Sequence, residues 1–296
     1  MLRRPLVLLA VVVVAVGGLC VWLAVSGASP LAGLTGKSGA TGAGGAADPG
    51  SEATLSGQGG GGAQTSKAEA AIQSAANAKK YLFIYFYNGG DEQTRASETK
   101  FKSAVRKLAN KPKSIVVDVA DPSEKALVTR LGADRAPMPL VLAMAPNGAV
   151  TAGLGAEFTE EQMAGAFVSP CTEKCLGGLQ QGRLVLLCVQ GASTKLNDEA
   201  MKGVRDFAAD ARFAGFTDIV TLDPTNQAEA AFLGNLRVDP KPPEAVTLLL
   251  APPGSVVAQF TGKTDSNEMA QKLQTAMSGA TCAPGGSSSS GCCPTK

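Results

Sequence analysis

An internal repeat constrains this chain more than any other feature. Leu82, Gly89, Asp121 and Gly132 return as Leu184, Gly191, Asp223 and Gly234, each 102 positions later. Every copy reads strand, helix, strand, helix, then an apolar hairpin and a last helix. A fixed period of this size predicts two domains built alike, and 296 residues suit two domains of ~100 to 200 residues each.

In the first copy the run Tyr81 to Tyr87 is aromatic and branched throughout and ends at Asn88-Gly89-Gly90, which predicts a strand buried on both faces. Phe101, Val105 and Leu108 follow at helical spacing, then Ile115 to Val119 as a second strand. Asp121-Pro122 with Glu124 reads as a helix start, closed by Gly132. Leu140 to Ala143 and Ala149 to Ala152 flank the turn Ala145-Pro146-Asn147-Gly148, and Thr159 with Gln162 forms a capping box. The second copy repeats the series from Leu184–Val189 through Asp223-Pro224 to a hairpin around Pro252-Pro253-Gly254 and a helix opened by Asp265 and Glu268.

Two β/α units followed by a hairpin and a helix resemble the thioredoxin-like superfamily, over about residues 78 to 168 and 181 to 279. Met138-Pro139-Leu140-Val141-Leu142 before Pro146-Asn147-Gly148 looks like that family's segment of a cis-proline and hairpin, with Pro139 as the candidate and Pro137 as its rival. In the second copy the matching proline is displaced to Pro243 or missing. The resemblance implies an α/β chain of two tandem thioredoxin-like domains, each a central mixed sheet flanked by helices. It also implies a peptide-receiving edge at Met138 and Pro139. The family's Cys-x-x-Cys follows the first strand, where this chain has Asp91-Glu92-Gln93-Thr94 and, in the second copy, Gly191-Ala192-Ser193-Thr194-Lys195. The dithiol chemistry is therefore absent from its usual place. Asp91 is read as the cap of the following helix.

Composition removes further chemistry. The chain has no histidine, which excludes Ser-His-Asp and Cys-His nucleophile pairs and His-ligated zinc. A net charge of +2 from interspersed Lys, Arg, Asp and Glu, with few aromatics, gives no support to nucleic-acid binding.

Arg3 and Arg4 precede an uncharged apolar run over residues 5–26. As a helix at ~1.5 Å per residue it would cross a ~30 Å hydrocarbon core, with the positive end cytoplasmic. The expectation is a single-pass anchor in the cell membrane, with the domains on the extracytoplasmic side. A cleavable signal peptide ending at Ser26-Gly27-Ala28 is the rival reading, although its apolar region should be shorter. Leu19 stands before Cys20 where a lipobox wants a small residue, so Cys20 reads as a passive apolar residue. Residues 27–66 are Gly, Ala, Ser and Thr with almost no large apolar side chain and are expected to form a flexible linker. The expected order is thus anchor or signal peptide (1–26), linker (27–66), domain 1 (67–168), domain 2 (169–279) and a Cys-containing tail (280–296).

Besides Cys20, the cysteines are Cys171, Cys175, Cys188, Cys282, Cys292 and Cys293, and an exported chain is expected to oxidise them into up to three disulfides. Cys188 falls in a strand and reads as a core residue. Ser169-Pro170 predicts a helix start that puts Cys171 in the first turn, where amide donors stabilise a thiolate, with Cys175 one turn on along the same face. The spacing resembles that of thioredoxin-like copper-delivery proteins, whose pair lies after the first strand and is completed by a histidine. The tail ending Cys292-Cys293-Pro294 is similar to mobile cysteine-pair arms that carry electrons or soft metals, and about ten residues reach ~15 to 20 Å.

The reading from sequence is an exported, membrane-anchored binding or scaffold protein, not an enzyme, whose partners are other exported or membrane proteins. It needs no cofactor. The alternative is thiol-disulfide exchange, or copper handling, through Cys171, Cys175, Cys292 and Cys293.

Overall fold

The structure is a computed structural model that describes residues 66–279. The apolar run at residues 5–26, the linker up to residue 65, and the tail with Cys282, Cys292 and Cys293 lie outside the described residues. Among the described residues no helix is long and apolar enough to cross a membrane. These residues divide after Val168 into two compact units.

In the first unit the elements are α1 (Lys67–Asn77), β1 (Leu82–Tyr87), α2 (Glu92–Lys107), β2 (Lys113–Asp118), α3 (Lys125–Arg130), β3 (Leu140–Met144), β4 (Val150–Leu154) and α4 (Glu160–Ala164). The sheet order is β2-β1-β3-β4, with β1 parallel to β2 and antiparallel to β3. The second unit repeats this as α5 (Pro170–Gln180), β5 (Leu184–Val189), α6 (Asn197–Ala209), β6 (Thr217–Leu222), α7 (Ala230–Asn235), β7 (Val246–Ala251), β8 (Ser255–Thr261) and α8 (Ser266–Gly279), in the order β6-β5-β7-β8.

The unbroken apolar character of β1 follows from its central position with helices on both faces. Leu82, Ile84 and Phe86 pack with Ala68 and Ala75 of α1 and Leu127 and Val128 of α3. Phe83 and Tyr85 point the other way, to Phe101 and Val105 of α2 and Met163 of α4. In the second unit Val185, Leu187 and Val189 meet Cys175 and Leu179 of α5, while Leu186 and Cys188 meet Val204 and Phe207 of α6 and Met269 of α8.

The structure departs from the sequence reading in several places. Through the first strand the copies align one residue further apart than the sequence repeat, with Leu82 answering to Val185 and not to Leu184, which faces α6. Gly234 lies within α7, and the left-handed position that Gly132 takes after α3 falls to Arg237 (φ 57°). The first unit begins with an additional helix, α1, laid on its sheet, in the place that α5, the helix expected from Ser169-Pro170, takes in the second. The segment from Asp121 to Glu124 is also a turn and not a capped first helical turn: Asp121 Oδ1 accepts from the Ser123 amide at 2.9 Å and hydroxyl at 2.7 Å, and α3 starts only at Lys125. Glu124, 3 % exposed, turns inward instead. It accepts from the Ser66 hydroxyl, the N-cap of α1, and from the Ala68 amide at 3.2 Å. Glu229, 1 % exposed, repeats the clamp on the Ser169 hydroxyl and the Cys171 amide (3.1 Å). A buried carboxylate is stable only when hydrogen-bonded, and the free amides of a helix start supply that requirement.

Candidate functional site

In the first unit the chain leaves β1 through Asn88, Gly89 and Gly90, all exposed, and enters α2 under the cap of Asp91, whose Oδ1 accepts from the Thr94 amide at 2.7 Å. The Thr94 hydroxyl and amide hold the Asp91 carboxyl below its ordinary range. Capping is thus the role in which the structure finds Asp91. A Cβ added at Gly89 would meet nothing within 4 Å, so the loop stands in open space.

Across from it, the Met138-Pro139 peptide is cis and leads directly into β3. The last pair of the β1–β3 ladder is Phe86↔Leu140, and continuing that register by two residues brings Asn88 level with Met138. Met138 is half-buried against the α1 face of the core. Among the described residues its amide and carbonyl have no hydrogen-bonding partner.

The corresponding place in the second unit is closed. Its last ladder pair is Val189↔Val246, so Ala245 stands where Pro139 stands and Glu244 where Met138 stands. Pro243 is not cis; the second cis peptide is Pro252-Pro253, in the β7–β8 turn. Lys195, from the loop after β5, forms an isolated parallel bridge with Glu244. The Lys195 amide donates to the Pro243 carbonyl at 3.1 Å, and the Ala245 amide donates to the Lys195 carbonyl at 2.9 Å. Proline has no amide hydrogen, so Pro139 could not make the second of these bonds. Behind the bridge, Thr194 is 7 % exposed: its Oγ1 lies 2.9 Å from the Gly191 amide and 2.6 Å from Asn197 Oδ1, and Asn197 Nδ2 donates to the Gly191 carbonyl at 2.9 Å. Sequence reading missed this closure, although alanine in place of proline before β7 is the signal for it.

A strand order of 2-1-3-4 with one parallel pair, helices on both faces and, in the first unit, a cis-proline entering the third strand decides the architecture. Both units have the thioredoxin-like fold. In neither thioredoxin-like unit does the loop after the first strand hold a cysteine.

No family model matches the chain, and no curated protein does. Among solved structures, the zinc-bound form of human ERp44 overlaps 72% of this chain and 58% of its own at 10% identity, with a TM-score of 0.28. The disulphide isomerase from Xylella fastidiosa Temecula1 overlaps 38% of this chain and 94% of its own at 14% identity, TM-score 0.27. The N-terminal domain of alkylhydroperoxide reductase AhpF from Enterococcus faecalis overlaps 69% and 98% at 13% identity, TM-score 0.23. The strand order and the Pro139 segment, and not these overlaps, carry the fold.

Among the described residues Cys171, Cys175 and Cys188 form no disulfide. Ser169 caps α5 with Pro170 at its first position, so Cys171 does lie in the first turn. Its amide, however, is already taken by Glu229. Burial, and then the neighbouring Glu229 carboxylate, push the Cys171 thiol up to about 11, which reverses the stabilised thiolate expected from sequence. Cys175, buried among the side chains of the α5 face, is pushed up to about 12. Burial does the same for Cys188, on the opposite face of the sheet. Among the described residues no group of three or more Cys, Asp or Glu is arranged to hold a metal ion.

Proposed function

We propose that this chain is an exported, membrane-anchored tandem thioredoxin-like protein that works by binding. Its first domain receives an extended segment of another exported or membrane protein at Met138 and Pro139, and no dithiol takes part. The observation that carries this reading is the unpartnered Met138 backbone beside a loop free of cysteine. A strand edge with free amide and carbonyl groups recruits a passing extended chain by backbone pairing. In the second domain Lys195 occupies the equivalent position, which leaves the first domain as the receiver. The high-lying thiols of Cys171 and Cys175 favour binding over thiol exchange or copper handling, because the thiolate is both nucleophile and metal ligand.

The test is site-specific photo-crosslinking of the full chain in an exporting host, with a photoreactive residue replacing Met138 in one protein and Glu244 in another. Adducts from position 138 and none from 244 are expected. Adducts from both positions alike, or from neither, would overturn the reading. Retention of the chain in membranes washed with alkaline carbonate tests the anchor separately.

A further inference from the structure

The chain contains two exposed Asn-Gly dipeptides in the first domain, Asn88-Gly89 and Asn147-Gly148, and the fold treats them differently. Both glycines have positive φ, +80° and +85°. In the β3–β4 turn, Asn147 Oδ1 accepts from the Ala149 amide at 3.1 Å, and the Gly148 amide donates to the Ala145 carbonyl at 2.9 Å. Side chain and following nitrogen are both held. In the β1–α2 loop, neither the Asn88 side chain nor the Gly89 amide has a hydrogen-bonding partner among the described residues, and the space beside Gly89 is open.

We propose that Asn88-Gly89 is a self-modifying site, at which the chain converts an amide to a carboxylate without an enzyme. The Gly89 nitrogen, deprotonated by solvent base, attacks Asn88 Cγ. A C–N bond forms, the bond from Cγ to Nδ2 breaks, and ammonia leaves with a proton from water. Hydrolysis of the resulting succinimide by a second water gives aspartate or isoaspartate at position 88. No oxidant, metal or partner is required. Glycine permits the ring closure because no Cβ obstructs its nitrogen. Each event lowers the net charge of +2 by one, and by register it does so level with Met138. The modification stands whether or not that edge binds a peptide.

The test is to age the full-length protein at mildly alkaline pH in ¹⁸O-labelled water, then quantify label at positions 88 and 147 by peptide mass spectrometry. Asn88 should react at least about tenfold faster, the factor expected when its competitor must break two ordinary hydrogen bonds first. In denaturant the two rates should converge. Equal rates in the folded protein, an unlabelled Asn88, or a ratio that persists in denaturant would each overturn the proposal. Asn88→Gln should abolish the early charge variant on ion exchange, and its persistence would place the reaction elsewhere.

Discussion

The two domains share strand order, helix order and the Glu–Ser clamp, yet they differ at the edge that leads into the third strand. In the first, Pro139 withholds an amide and Met138 is left unpaired. In the second, Ala245 supplies that amide and Lys195 closes the edge. Their cores differ as well. Tyr85 and Phe83 of β1 become Cys188 and Leu186 of β5, and Ala68 of α1 becomes Cys171 of α5. The comparison teaches that a shared architecture tolerates exchange of core chemistry, while the pairing of this edge turns on a single backbone hydrogen.

The strongest way to probe the comparison is through the equivalent core positions. Tyr85→Ala should destabilise the first domain by about 3–5 kcal/mol, since the ring is fully buried against Phe101 and the cavity adds to the lost transfer energy. Cys188→Ala should cost the second only about 1 kcal/mol, for loss of a single buried atom. Two transitions in denaturant unfolding, assigned by the variant that moves each, check this; equal losses would break the contrast.

Next comes the closure itself. Ala245→Pro removes the donor to the Lys195 carbonyl and should cost about 1–3 kcal/mol. The same change should speed hydrogen exchange at the Lys195 amide, which now pairs with Pro243. An unchanged Lys195 amide would mean that the edge is shut by something other than this bridge.

The smallest effect concerns the thiols. At neutral pH Cys171 should react with iodoacetamide roughly tenfold more slowly than an exposed thiol, because a rise from 9.0 to about 11 reduces the thiolate some hundredfold while the more basic thiolate recovers about a factor of ten. The sign for stability follows. The folded domain keeps these protons when the unfolded chain has lost them, so the second domain should lose stability as pH rises above about 9, and the first, which has no cysteine, should not respond through thiols. Intact alkylation kinetics and alkaline unfolding of the two transitions measure both.

The sequence by itself determined the repeat, the strands, the hairpins and most caps, because each rests on local periodicity and on short-range pairs such as Asp91 with Thr94 and Thr159 with Gln162. It also made plain that the usual dithiol is missing and pointed to Pro139. Only the tertiary structure decided what Glu124 and Glu229 do, since their partners lie 58 and 60 residues away and a helix-start pattern describes Glu124 equally well. It likewise decided the state of Cys171, where burial and then a carboxylate distant in sequence keep the proton on sulfur, and the shutting of the second edge by Lys195. Local pattern fixes which backbone groups a segment offers. Which of them stay free depends on what the rest of the chain brings to them.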